Sequence, residues 1–191
     1  KARISPDGAG TGSVFMDLYS SVARDYMAAS GATAEDFARI SVKQRHAGAL
    51  NPIAQFRADV NLEEVLTSRM IADPITLMMC SSIGDGAAAL VVMSEAAAAK
   101  RNIQPVQILA CEIRSGQGDD PEALPVATAA SRAAFETAGL GPEDLSVVEL
   151  HDAAAPAELI LSEQLGLCAP GEAVALLHSG RTALGGAMPI N

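Results

Sequence analysis

The spacing of apolar positions changes character near residue 72. From Ser13 onward they recur with a helical period: Val14, Leu18, Val22 and Met27 fall near one face, and Gly31 supplies a stop. Thr33 then caps a second helix, with Glu35 and Asp36 in its first turn, where the helix dipole favours negative charge. Phe37, Ile40 and Val42 make up its predicted apolar face, the helix is expected to fray by Gly48, and Asn51-Pro52 breaks the pattern. Asn61 and Glu64 form a capping box for a short third helix over 62–68. Residues 13–72 read as three helices joined by loops, and residues 1–12, with Gly8, Gly10 and Gly12 among polar side chains, read as loop.

Beyond Ile71-Ala72-Asp73-Pro74 the apolar positions become continuous runs. Residues 87–93 follow the turn Asp85-Gly86 as a run of strand length. Ser94 caps a helix over 95–101 that Asn102 ends, and Pro105 leads into a second apolar strand, 106–111. A loop is expected over 114–125, a helix over 126–138 stopped by Gly139, and a buried strand over 145–150 whose end carries His151-Asp152. A helix over 157–165, a short strand over 174–177 and a glycine-rich end, 180–191, complete the reading. Strands with few polar positions, alternating with helices, predict βαβ units: an α/β fold with a sheet covered on both faces.

Composition narrows the picture. Thirteen Lys and Arg against 23 Asp and Glu leave a net charge of −10, which argues against a protein built to grip a nucleic-acid backbone. Hydrophobic residues make up 49% of the chain and charged residues 19%, a globular balance. No uninterrupted apolar run approaches the roughly 20 residues that span a bilayer, and the first residues lack the apolar stretch of a signal peptide. Three cysteines without metal-binding spacing fit a reducing cytoplasm better than a disulfide framework. Alanine fills 37 of the 191 positions and Trp is absent, so the core is expected to rest on many close contacts between small side chains, as in layered α/β packing.

Candidate chemistry is sparse. His151-Asp152 sits between a strand end and a helix start, where loops and unpaired backbone N–H groups converge in open α/β sheets. The imidazole there has the chemistry to donate a hydrogen bond to an oxyanion, or the pair is structural, with Asp152 capping the helix. Lys43, Arg45 and His46, with Arg39 and Arg57 nearby, form a basic island that fits either a solvated helix face or a phosphorylated cofactor. Ile83-Gly84-Asp85-Gly86 lacks the spacing of a dinucleotide fingerprint and reads as a tight turn. Cys80, Cys111 and Cys168 read as inert, since nothing adjacent in sequence would lower their thiol pKa. No metal site is expected.

The order of the short motifs is more telling than any one of them. Asn51-Pro52-Ile53-Ala54-Gln55-Phe56-Arg57 is followed by Asp73-Pro74-Ile75-Thr76, Asp85-Gly86-Ala87-Ala88-Ala89 and Glu149-Leu150-His151-Asp152. Then come Glu158-Leu159, Glu163-Gln164-Leu165-Gly166-Leu167-Cys168 and Gly185-Gly186-Ala187-Met188-Pro189-Ile190-Asn191. From about residue 13 to the end this series resembles the thiolase superfamily. The His-Asp pair in place of an Asn-Glu-Ala-Phe motif resembles its sterol-carrier-protein-X, or lipid-transfer-protein, branch.

The resemblance implies a layered thiolase-like α/β fold, incomplete in this chain. It divides the chain into a helical loop domain (1–72), the end of the first thiolase-like half (73–103) and the start of the second (104–191). It implies acyl transfer between CoA thioesters of the β-ketothiolase type in lipid or steroid metabolism, with retro-aldol cleavage of a CoA thioester or a non-catalytic partner subunit as alternatives. A CoA thioester would be the substrate, with no bound cofactor; a homodimer and an OB-fold partner protein are the implied partners. His151 matches the position where this branch places a histidine in the thioester oxyanion hole, and Asp152 and Glu158 would support it. The loop domain covers CoA in the superfamily, which makes Lys43, Arg45 and His46 candidates for that contact. The departures are equally specific. None of Cys80, Cys111 or Cys168 matches a catalytic cysteine of the superfamily, and Ala153 stands where the branch has cysteine. Asn191 is the first residue of the superfamily's Asn-Pro-Ser-Gly-Gly motif. The chain is therefore expected to be a piece of a longer enzyme, with a natural short subunit as the alternative.

Overall fold

The helix that begins after Ser13 is built as its sequence dictates, although a different face of it meets the core. Ser13 accepts a hydrogen bond from the Met16 amide, α1 runs Val14–Ser30, and Gly31, at φ +76°, donates its N–H to the Met27 carbonyl. Ser20 and Ala23 are the buried residues of α1, with Tyr19, Tyr26 and Met27 packed on the core, whereas Val14 and Val22 are exposed. The computed structural model describes residues 13–101, 103–116 and 124–191. The loop expected over 1–12, the helix stop at Asn102 and most of the loop expected over 114–125 lie outside the described residues.

Thr33 and Asp36 close a reciprocal capping box at the start of α2, Ala34–Leu50, which ends at Asn51 immediately before Pro52. Phe37, Ala38 and Ile40 are buried on it, and Val42 packs at the edge of the same core. A second capping box, Asn61 with Glu64, opens α3, Leu62–Thr67. Next come two short antiparallel strands, β1 (Met70–Ala72) and β2 (Ile75–Thr76), joined through a cis Asp73-Pro74 bond, and a 3-10 turn, Leu77–Met79. The sequence pattern placed only a change of character here, because runs of two and three residues carry no period.

The chain divides into two units. The first joins the stretch up to Ser81 with Gly141–Asn191, and the second is Ser82–Leu140. In the first unit Pro156–Gln164 forms α6, ending where Gly166 takes φ +76°, and Ala173–His178 forms α7. Its main core gathers Phe37, Ile40, Val65, Ile75 and Leu159 around the small residues Ala23, Ala32, Ala38, Ala154, Ala155 and Ala173. A smaller cluster joins Val148, Leu167, Leu176, Met188 and Ile190. The alanines let helix backbones approach closely, as the composition implies, but the large buried anchors are few.

Two expectations are corrected in this unit. Residues 174–177 are not a strand but part of α7: four consecutive apolar residues specify burial without specifying a period, and here Ala173 and Leu176 are buried one helical turn apart. The strand expected over 145–150 reduces to one parallel bridge, Val148 to Ile190.

In the second unit α4 (Glu95–Lys100), capped by Ser94, and α5 (Val126–Ala138), closed by Gly139 at φ +67°, form as expected. The apolar runs 87–93 and 106–111 form no strand, and Leu90, Val91, Val106 and Ile108 are exposed. A parallel-sheet strand takes its hydrogen bonds from flanking strands and its burial from layers on both faces. Among the described residues neither run has such neighbours. Cys111, expected at the end of a buried strand, is exposed for the same reason. No described helix is long and apolar enough to cross a membrane.

Phe37 and Phe15 separate core from surface. Replacing fully buried Phe37 by Ala is expected to lower stability by about 3–5 kcal/mol. Phe15→Ala, at a ring 67% exposed, should change it by no more than about 0.5 kcal/mol, both measured by urea denaturation.

Candidate active site

The turn that carries His151 and Asp152 is held from two sides by backbone hydrogen bonds. On one side Val148 donates to the Pro189 carbonyl and Asn191 donates to the Val148 carbonyl, each at 3.0 Å. On the other, the segment leaving the 3-10 turn runs against the start of α6: Ala155 donates to Met79 O at 2.8 Å, and Ser81 donates to Ala153 O at 3.1 Å. Pro156 then opens the helix at a position that needs no N–H partner. The cap residue is Ala155 and no side chain caps α6, so Asp152 is free of the capping role that its spacing allowed.

His151 is exposed and is one of the residues that line an open cavity of about 250 Å³. Leu18, Tyr19 and Val22 of α1 form one wall, and Ile160 and the small residues at the start of α6 form the other. This explains the misread face of α1. The apolar stripe through Leu18 and Val22 is turned toward the cavity, and the core takes the smaller Ser20 and Ala23.

Asp152, next to His151 in the chain, belongs to a polar cluster. Asp152 is half-buried, and burial pushes its carboxyl above the usual range against a hydrogen bond with the Asn191 side chain and the charges of Lys43 and His151. Glu158, one turn into α6, is fully buried. Its Oε1 meets Lys43 Nζ at 2.5 Å and its Oε2 accepts from Gln44 Nε2 at 3.0 Å. Burial raises its pKa too, with Lys43 and Gln44 pulling it back and the negative charge of Asp152 adding to the rise.

The three CoA-contact candidates separate. Lys43, only 11% exposed, points inward to Glu158 and two backbone carbonyls. Arg45 lays its guanidinium 4.0 Å above the Phe56 ring centroid, and His46 Nδ1 lies 3.0 Å from an oxygen of Asp59 at an exposed position. Neither Arg45 nor His46 lines the cavity. The Cys80 thiol lies against Met16 Sδ and Thr76 O, and burial raises its pKa. Burial and the carboxylates of Glu163 and Glu172 push the Cys168 thiol up to about 11. Both thiols are held in the protonated, unreactive form at neutral pH.

The ion pair was absent from the sequence reading, yet its signal was there. Counting three and four residues on from Ile40 along the helix reaches Lys43 and Gln44, on the stripe that buries Phe37. A lysine on that stripe asks for a buried anion. Other long-range pairs have no such marker: Tyr26 Oη donates to Glu163 Oε1 at 2.6 Å, and His178 Nε2 lies 2.7 Å from Asp36 Oδ1.

Residues 114–191 match the thiolase C-terminal domain-like family, and most of the chain is similar to thiolase-like proteins. Over 185 residues it is 40% identical to the benzoylsuccinyl-CoA thiolase subunit BbsB of Thauera aromatica, covering 92% of this chain and 47% of that protein. Over 184 residues it is 36% identical to sterol carrier protein 2 of Bos taurus, covering 91% of this chain and 34% of that protein. The solved structure of the Ltp2-ChsH2(DUF35) aldolase matches with a TM-score of 0.81 at 32% identity, over 92% of this chain and 48% of that one. The chain thus spans about half the length of BbsB and of the aldolase chain, and a third of the sterol carrier protein.

Lys43→Met leaves the Glu158 carboxylate buried without its counter-charge, so unfolding in urea should show a loss of about 3–5 kcal/mol. Removing both charges, as Lys43→Met with Glu158→Leu, is expected to recover most of that loss.

Proposed function

We propose that this chain carries part of a site for carbon–carbon bond chemistry on a CoA thioester, with the thioester oxygen beside His151. The observation that carries the reading is exposed His151 lining a mostly apolar cavity, with half-buried Asp152 next to it in the chain. An apolar wall receives the hydrocarbon part of an acyl group, and an N–H donor at its edge meets the oxygen on which charge develops. The likeness to a benzoylsuccinyl-CoA thiolase subunit and to an aldolase structure supports this class of chemistry.

Two reactions place negative charge on that same atom. In β-ketothiolase-type cleavage a thiolate adds to the β-keto carbon, the Cα–Cβ bond breaks leaving the acyl group on sulfur, and the bond's electron pair passes into the thioester, whose oxygen becomes an enolate. In retro-aldol cleavage a β-hydroxyl loses its proton, the Cα–Cβ bond breaks, and its electron pair passes into the thioester, whose oxygen becomes an enolate. His151 stabilises either by donating a hydrogen bond. Acyl transfer of the β-ketothiolase type in lipid or steroid metabolism is our first reading, with its nucleophilic cysteine supplied from outside these 191 residues. The retro-aldolase is the second reading, supported by the likeness to an aldolase structure, and that reaction needs no thiolate. Arg45 and His46 remain the candidates for CoA contact, and a homodimer with an OB-fold partner protein in the cytoplasm completes the proposal.

In the complete protein, His151→Ala should lower kcat by about 10²–10³-fold, the effect of one oxyanion donor. Unchanged turnover of a CoA thioester by this variant would reject the reading. Treating the same protein with iodoacetamide separates the two reactions: loss of turnover supports acyl transfer, and retained turnover supports the aldolase.

A further inference from the structure

Lys43 Nζ has three acceptors on two distant parts of the chain: Glu158 Oε1 on α6, Thr182 O at 3.2 Å and Ile190 O at 3.1 Å. These occupy all three N–H bonds of the ammonium. Gln44, the next residue of α2, holds the second oxygen of Glu158. Ile190 in turn leads to Asn191, whose Oδ1 accepts the Leu150 amide at 2.6 Å and whose side chain also hydrogen-bonds Asp152. Pro189 O and the Asn191 amide complete the pairing with Val148. The buried ammonium therefore joins two backbone hydrogen bonds, Met188 to Arg181 O and Ile190 to Thr182 O, each at 3.0 Å, in holding the segment that bonds Val148, Leu150 and Asp152 around His151.

We propose that Lys43 is a positioning residue of the His151 site: it holds residues 188–191 against 148–152 and supplies the single positive charge shared by Asp152 and Glu158. The role in catalysis rests on His151 being the substrate-facing group. The charged surroundings are few. Glu158 faces Lys43 and Gln44 from α2 and the carboxyl of Asp152 from the loop before α6. Asp152 faces Lys43, Glu158, His151 and the amide of Asn191. For Asp152, Lys43 favours the ionised form and Glu158 disfavours it. Loss of either partner loosens the same packing, but the two losses act on the Asp152 proton in opposite senses.

The test is an NMR titration of the Asp152 side-chain carboxyl carbon in the chain and in Lys43→Gln, Lys43→Arg and Glu158→Gln. Lys43→Gln, which removes the positive charge, should move the Asp152 midpoint up. Glu158→Gln should move it down, and Lys43→Arg should leave it near the parent value. Shifts of the two neutralising variants in the same direction, or no shift in either, overturn the proposal. If Lys43→Gln does not fold, Glu158→Gln decides: a midpoint that stays or rises overturns it. In the complete protein the acid limb of the kcat/KM profile should follow the same opposed shifts. Opposed titrations with a pH profile that ignores them support the positioning role and reject the functional reading of His151. Parallel titrations reject the positioning role whatever the activity.

Discussion

A lysine and a glutamate, 115 positions apart in sequence, meet in the interior of the first unit, and much of the arrangement around His151 follows from that meeting. A buried ion pair is a poor source of net stability, because the cost of removing two charges from water rivals their attraction. Its consequence is geometric. The pair is satisfied only when α2, α6 and the glycine-rich end are in register, since the ammonium also needs the carbonyls of Thr182 and Ile190. An apolar pair of equal volume would tolerate sliding; this one does not.

The site built on that pair combines two environments that rarely adjoin. His151 lines an apolar cavity between α1 and α6, and the next residue, Asp152, belongs to a polar cluster with two carboxylates, one lysine and two amide side chains. The apolar side is lined mostly by Leu18, Val22, Ile160 and alanines, with Tyr19 and His151 the lining residues whose side chains carry hydrogen-bonding groups. The polar side fixes where the imidazole's backbone lies. Thiolase-like chemistry fits such a division, because its substrates join a hydrocarbon portion to a carbonyl whose oxygen gains charge.

The helices of the first 72 residues were legible because their ends are chemical. Thr33 with Asp36 and Asn61 with Glu64 are capping boxes in sequence and in structure, and Gly31 stops α1 at positive φ. Boundaries within short apolar runs were not legible. Residues 174–177 satisfy a strand or a helix equally well, and only the packing of Ala173 and Leu176 decides for the helix. The runs 87–93 and 106–111 carry a burial requirement that a single segment cannot meet, since a sheet is a property of several strands at once. Candidate chemistry divides in the same way. His151-Asp152 was visible as an adjacent pair at an element junction. The partners behind it were not, because Lys43, Glu158 and Asn191 come together only through tertiary contacts, even though the helical period had already turned Lys43 inward.

The central claim is that the His151 imidazole is the group that meets the ligand's carbonyl at the cavity between α1 and α6. Its most direct test is an NMR titration of the chain with a non-hydrolysable thioether analogue of an acyl-CoA, following the ring resonances of its three histidines and the methyls of Leu18, Val22 and Ile160. The account predicts that His151 and those methyls shift together and saturate at one ligand concentration, while His178, paired with Asp36, stays unmoved. Saturating shifts confined to His46 and its neighbours, with the His151 ring and the cavity methyls unchanged, would contradict it.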